Sequence, residues 1–518
     1  MKEFMMKMIV AAIAVLNLVF TVRAQEKTDW FNLSYKEGIL AGAEVDDALK
    51  LIGNRKLDTI VVAVIDDGVD IYHEDLAGKI WINEDEIPDN EIDDDQNGYI
   101  DDVHGWNFLG NPEGENIKYE TLELTRLYRQ YSERFEGRDE NSISEDEADD
   151  YREFLKYKSE FEKELSTIEA QYSEYAQLTT LYNGALAFYA DAVSGADSDE
   201  NSLDDWQPET PDGVQVKNFL MLAEKEGLDD YLEDAGEYFE SYLDYNLNVE
   251  FDPRPLVNEA ELPIGYGNNM VWAEDPGHGT HVAGIIAAVR DNEKGINGIA
   301  PNAVIMPVRA IPGGDERDKD VALAIRYAVD NGANIINMSF GKSYSPEADL
   351  VYEAIRYAEK SNVLLIHAAG NDASDNDVSI NYPDGTIGKK KSAKTFITVA
   401  ASGVKPDEAY LTDFSNFGKN SVDIIAPGLE IRSLAPENGT ASQSGTSMAA
   451  PVVSGVAALI WGLDSSLSAK KLKKLLIKSA NDLEDLTIKT DEVDVSLSDL
   501  LRNPVVISAE NAAEKVLQ

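Results

Sequence analysis

Cysteine is absent from all 518 residues. That excludes disulfides, thiol nucleophiles and cysteine-ligated zinc or iron–sulfur sites. It does not fix a compartment, because a domain with a large core is stable outside the cell without bridges. Histidine is scarce, at five residues: His73, His104, His278, His281 and His367. Positive charge is in deficit, with 45 Lys and Arg against 96 Asp and Glu, a net −51. A polyanion of this kind repels phosphate backbones and anionic lipid, so neither nucleic acid nor a membrane surface is an expected partner. Past the N-terminus, no run reads as long and apolar enough to cross a bilayer.

The N-terminus has the form of a secretory signal peptide. Lys2 and Lys7 precede an apolar run over 8–20, which ends in Thr21-Val22-Arg23-Ala24-Gln25. Cleavage after Ala24 is the reading taken, giving 1–24 as signal peptide and a secreted, periplasmic or cell-surface location. The alternative, a membrane anchor, needs about 20 apolar residues, and this run is shorter.

Hydrophobic residues make up 43% of the chain, enough to build a core. A β-branched run over 59–65 suits a strand buried on both faces. It ends at Asp66, and functional groups collect at the carboxyl ends of such strands. Further strand-like runs occupy 303–308, 333–338, 363–368, 396–400 and 422–425, with helical stretches between several of them. That alternation predicts an α/β fold, a doubly wound and mostly parallel sheet.

Two segments stand apart from this pattern. Asp93, Asp95 and Asn97 place oxygen groups at alternate positions before Gly98, as in the first half of a calcium loop. The candidate ligand set is Asp93, Asp95, Asn97, Tyr99, Asp101 and Asp102. An EF-hand's closing Glu would fall at His104, so Asp101 or Asp102 must close the site. The competing reading is a solvated acidic turn. The second segment, 109–266, is rich in Glu, Asp and Tyr. Phe154, Phe161, Ile168, Tyr175 and Tyr182 recur every seven residues, the seam of a long helix. It is read as an all-helical acidic insertion, with 25–108 and 267–518 forming the domain it interrupts.

Gly445-Thr446-Ser447-Met448-Ala449-Ala450-Pro451 follows a turn-rich run and leads into apolar, small residues as far as Trp461. Ser447 therefore sits at a helix N-terminus, where free N–H groups gather. By itself it is either a helix cap or a nucleophile. His278 lies in a glycine-flanked turn before another small-residue helix. It could be a general base, a capping or core histidine, or one of a metal pair with His281. Serine needs a base to take its proton, and the base needs a carboxylate to orient it. Asp66, His278 and Ser447 offer those three functions, and Asp…His…Ser is one of the known chain orders.

Three segments resemble the signature motifs of the subtilisin-like serine peptidases: Val64-Ile65-Asp66-Asp67-Gly68, His278-Gly279-Thr280-His281-Val282-Ala283-Gly284 and Gly445 to Pro451. Asn337-Met338-Ser339-Phe340-Gly341 and Ala368-Ala369-Gly370-Asn371 match in order between the second and third. The resemblance implies Asp66 as orienting acid, His278 as general base and Ser447 as nucleophile. It implies Asn371 as oxyanion donor beside the Ser447 N–H. It further implies that Ser339, Phe340 and Gly341 pair with the backbone of a protein or peptide substrate. The rival reading is a non-catalytic peptide- or protein-binding module on the same scaffold. Two departures stand out. Asp67 occupies a position usually held by Ser or Thr. The insertion separates acid from base, and it could form a lid, a wall of the cleft or a body docked on the back.

Overall fold

Strands whose residues are buried on both faces build the centre of this protein. The computed structural model describes residues 29–36, 40–194, 202–257, 266–388, 391–405, 407, 410–489 and 494–518. The expected signal peptide over 1–24 lies outside these residues. The chain divides into two units, Leu124–Phe251 and the described residues of Lys27–Glu123 with Asp252–Gln518.

The larger unit holds a nine-stranded sheet. Its strands are β1 (Ile60–Asp66), β2 (Trp106–Asn107), β3 (Ala303–Arg309), β4 (Ile335–Met338), β5 (Leu364–Ala368), β6 (Phe396–Ser402), β7 (Ile424–Pro427), β10 (Asn481–Asp482) and β11 (Val505–Val506). An antiparallel hairpin, β8 (Ile431–Ala435) and β9 (Gly439–Gln443), stands apart from it. The sheet order is β10-β11-β7-β6-β5-β4-β1-β3-β2. All neighbours run parallel except β10 against β11. β1 lies between β3 and β4, so the winding reverses at its edge, where a crevice opens outside the strand ends.

Alternation along β1 explains its unbroken apolar run. Val62 and Val64 join one core with the helices Gly277–Ala287 and Thr446–Leu463. Ala63 and Ile65 join a second core with the helices Asp318–Asp330 and Ala348–Lys360. Successive side chains point to opposite faces, so both sets must be apolar. Thr446–Leu463 is apolar all round for the same reason. By length and composition it could cross a membrane, which the sequence reading had denied to any later segment. The correction is one of context, because 89% of it is buried inside the protein and it is a core helix.

The helical unit is tighter than the 109–266 span read from sequence. Leu109, Ile117, Val257 and Tyr266 pack in the second sheet core, and Tyr119 bridges to Gly313. Within Leu124–Phe251, the helix Ala148–Val193 runs for 46 residues. Phe154, Phe161 and Ile168 of the seven-residue seam are buried. Tyr128 stacks on Phe161 at 4.6 Å between ring centroids. Pro211–Glu226 and Leu228–Glu240 meet at Gly227, whose φ of 67° ends the first helix. They pack around Leu181 and Ala185 to make a separate small core.

The hairpin closes on the helix that carries His278. A Cβ at Gly284 would lie 2.4 Å from Ser433 Oγ and 2.6 Å from Leu434 Cγ. Gly284→Ala therefore forces the hairpin outward. The expected cost is about 1–3 kcal/mol, read as a lowered melting temperature. An unchanged melting temperature would mean that this approach is not tight.

Candidate active site

Asp66 is the last residue of β1, and its side chain is only 2% exposed. His278 Nδ1–H donates to Asp66 Oδ1 at 2.6 Å. The ring is thereby fixed in one tautomer with Nε2 free to accept a proton. His278 stands in the first turn of Gly277–Ala287, and Asp67 caps that turn. Its Oδ2 accepts from His278 N at 3.1 Å and its Oδ1 from Gly279 N at 2.7 Å. Gly279 cannot carry a side chain, since a Cβ would lie 2.0 Å from the Gly68 carbonyl. The Asp66 segment is tied down from behind by the buried Arg309. It donates to the carbonyls of Asp67 and Ile117 and to Asn107 Oδ1.

Burial works against the imidazolium of His278. The charge and hydrogen bond of Asp66, joined by the charge of Asp67, work for it, and the net effect is a raised pKa. The side chain is 35% exposed, so the ion pair outweighs desolvation. Burial and the Asp66 charge push the Asp67 carboxyl up as well. The other two histidines of this region behave differently. Burial lowers His281 and His367 to about 4, leaving both neutral. His281 Nε2–H donates to the Ile431 carbonyl and His367 Nε2–H to that of Phe340. They are structural hydrogen-bond donors, and the metal-pair reading of His278 with His281 finds no support.

Ser447 lies in the first turn of Thr446–Leu463. Its Oγ–H donates to the Ser339 carbonyl at 3.0 Å, and no hydrogen bond joins it to His278 among the described residues. Hydrogen bonds between reacting groups commonly tighten only when substrate is present. A buried polar chain holds the helix start to β4. Ser454 Oγ donates to Asn337 Oδ1, Asn337 Nδ2 to Ser339 Oγ, and Ser339 Oγ to the Ser447 carbonyl, at 2.7, 2.9 and 2.8 Å. Sequence reasoning missed Asn337 and Ser454 in this role, because a polar residue within an apolar run carries no spacing signal.

Asn371 follows the loop after β5. Its Oδ1 accepts from both Thr446 N (2.9 Å) and Thr446 Oγ (3.0 Å). That fixes the amide so that Nδ2 is the group left to donate. A Cβ placed on Gly445 would lie 3.3 Å from Asn371 Nδ2 and 3.6 Å from Ser447 N. Two donors thus lie close to space that the glycine leaves open, as an oxyanion hole would require. Ser339 and Phe340 turn their carbonyls inward, to Ser447 and His367. Gly341 packs against Asn381, where a Cβ would come within 2.5 Å.

The acidic loop is arranged differently from an EF-hand. Asp93 accepts from Asn97 N and Gly98 N, and Asp101 accepts from Asn90 N and Glu91 N. Both carboxylates act as backbone clamps. Tyr99 packs its ring against Trp106, Phe108 and Tyr327. Asn97 Nδ2 donates to Asp95 and Asp102. Asp95 and Asp102 come together with Glu86, their carboxylate oxygens within 4.8 Å of one another. Glu86 was missed, since it lies outside the loop's alternating pattern. Burial pushes Asp102 up to about 6 and raises Glu86.

A family model described as the subtilase family matches residues 231–493. The match spans His278, Asn371 and Ser447, while Asp66 lies before it in the chain. Among curated relatives, the cell wall-associated protease of Bacillus subtilis is 38% identical over 221 residues, covering 42% of this chain and 23% of that protein. Subtilisin-like protease 2 of Plasmodium falciparum is 34% identical over 278 residues, covering 52% of this chain and 19% of that protein. Subtilisin DY of Bacillus licheniformis is 34% identical over 253 residues, covering 48% of this chain and 88% of that protein. The chain thus spans about a quarter or less of the length of the first two.

The oxyanion geometry is testable without touching the triad. Gly445→Ala puts a methyl within 3.6 Å of both donors and is expected to lower kcat on a peptide ester by about 10²–10³-fold, the effect of losing one donor. Thr446→Val frees the Asn371 amide to rotate and should lower kcat with a smaller change in KM. Wild-type kcat in both variants would remove the assignment.

Proposed function

The chain belongs to the subtilase family, and from that premise we propose that it is an exported serine endopeptidase acting through an acyl-enzyme on Ser447. The observation that carries this reading is the 2.6 Å pairing of Asp66 with His278, in a chain whose helix-start Ser447 has its own N–H and Asn371 Nδ2 about the Gly445 position. In this mechanism Ser447 Oγ attacks the scissile carbonyl while His278 Nε2 takes its proton. Asp66 stabilises the imidazolium that forms and holds its tautomer. The carbonyl oxygen, now an anion, receives hydrogen bonds from Asn371 Nδ2 and Ser447 N. His278 then protonates the leaving amine, and water repeats the sequence on the acyl-enzyme. The substrate backbone lies along the Ser339–Gly341 segment as an added strand. Export fits the basic and apolar N-terminus, and the cell wall-associated relative is consistent with a location outside the cytoplasm.

A fluorophosphonate probe separates this reading from a binding module. The wild-type chain should be labelled and the Ser447→Ala chain should not. Absence of labelling on folded wild-type protein would sink the peptidase reading.

The pH profile carries a second test. A base must be neutral to accept a proton, so kcat/KM rises with pH through the raised pKa of His278. The ionised Asp67 favours the imidazolium and moves that limb upward. Asp67→Asn removes the charge and keeps a capping oxygen. The acid limb should then move down, by about one pH unit. An unmoved limb would show that the Asp67 charge is not felt at His278.

A further inference from the structure

We propose that Lys342 is a positioning residue, holding the Ser339–Gly341 segment at the height where the backbone of a bound peptide can pair with it. The proposal rests on the peptidase reading, which makes that segment the partner of the substrate. Lys342 follows Gly341 directly, yet its side chain is turned inward and is only 1% exposed. Its Nζ donates to Glu123 Oε2 and to the Glu316 carbonyl, each at 2.8 Å. It also lies 2.9 Å from Asp318 Oδ1. A lysine ammonium has three N–H groups and no acceptor, so these three contacts use its whole capacity and fix its place. The two carboxylates are themselves buried, at 8% and 4% exposure.

Such a cluster is a poor source of stability, because desolvation of the ions offsets much of their attraction. What it supplies is a fixed geometry. Asp318 accepts in addition from Ser345 Oγ and Glu347 N, and Glu123 N donates to Asp315 Oδ2. The ammonium therefore grips two stretches at once. One is 315–318, at the start of the helix Asp318–Asp330. The other ends at Glu123, the last residue before the helical unit. Beyond that unit the chain returns to the same helix start, where Arg254 pairs with Asp320 at 2.8 Å. Lys342 is thus anchored on ground that is tied down on both sides of the insertion.

The segment itself is pinned on either side of one unbonded residue. The Ser339 carbonyl accepts from Ser447 Oγ–H and the Phe340 carbonyl from His367 Nε2–H. Lys342 N donates to the Tyr382 carbonyl and Tyr382 N to the Lys342 carbonyl, at 3.2 and 2.9 Å. Gly341 lies between them and is exposed, and among the described residues no hydrogen bond engages its N–H or carbonyl. Those two groups are the ones left for an added strand. Phe340 sets their height on one side and Lys342 on the other, and the buried ammonium limits how far Lys342 can shift. Ser339 touches Ser447, so Gly341 meets a substrate residue about two positions from the scissile bond.

A blocked tetrapeptide anilide reaches Gly341 and a blocked single-residue ester does not, so the two substrates separate positioning from general damage. Glu123→Gln leaves Lys342 facing one carboxylate in a neutral cluster. KM for the anilide should then rise about three- to tenfold, the loss of one net hydrogen bond. Its kcat, and kcat/KM for the ester, should keep the parent values, because only ground-state binding is lost. Lys342→Met in that background leaves Asp318 its bonds to Ser345 and Glu347 and should act at least as strongly. Binding is read separately on the Ser447→Ala chain, where Kd for a labelled tetrapeptide should weaken by the same factor in both variants. Parent values of KM and Kd in either variant, with a parent-like circular dichroism spectrum, would overturn the proposal. So would an equal loss on both substrates. If folded wild-type protein resists a fluorophosphonate and the Kd shift still appears, the peptidase reading falls and the positioning role of Lys342 stands.

Discussion

One hydrogen bond, from His278 Nδ1–H to Asp66 Oδ1, joins residues 212 positions apart and gives this site its chemistry. Without it the ring has no reason to present Nε2 outward, and the proposed mechanism loses the base for Ser447. Much of the surrounding structure serves to keep that contact in place. Burial of β1 on both faces fixes the height of Asp66. Asp67 caps the turn from which His278 projects, and Arg309 holds the carbonyl of Asp67 from behind. The site is therefore a property of the sheet's carboxyl edge and of two helix starts, with no long loop needed to assemble it.

The nucleophile side is built on a second principle, the satisfaction of buried polar groups. Ser454, Asn337 and Ser339 lie inside or against the sheet and are each hydrogen-bonded in sequence to the next. Any one of them left unpaired would cost about 1–3 kcal/mol. That penalty favours a single register of the helix Thr446–Leu463 against β4. A unique register places Ser447 N and Asn371 Nδ2 on the same side of Gly445. In this view a stability constraint and a catalytic constraint are met by the same side chains.

What could be read from the sequence follows from what leaves a pattern. β1 and β3 to β7 were legible because two-sided burial writes a continuous apolar run. The seven-residue seam over Phe154, Phe161 and Ile168 announced the long helix. The edge strands β2 and β10 are two residues each, too short to leave a period. β9 was missed because its residues alternate between half-buried and exposed and are small and polar. The domain boundary was set too wide, because the acidic composition of 109–123 and 252–266 hides the few apolar residues that bind these stretches to the sheet. In the acidic loop the alternation marked a stretch dense in carboxylates. It could not show that Asp93 and Asp101 clamp backbone N–H groups, or that Glu86 turns in from outside the pattern.

The helical unit raises the question of how a fold tolerates an interruption between its acid and its base. Closing a loop costs free energy only as the logarithm of its length, but more than a hundred disordered residues would still leave the β2 region loosely held. The chain avoids this by tying the insert's two ends to each other. Thr125 Oγ donates to the Asn246 carbonyl at 2.8 Å, and Arg129 reaches the carbonyls of Val249 and Phe251. With its own cores around Phe161 and Leu181, the insert closes its own loop. The sheet unit then meets a short connection in place of a long one, and Asp66 and His278 can pair as if the intervening residues were few.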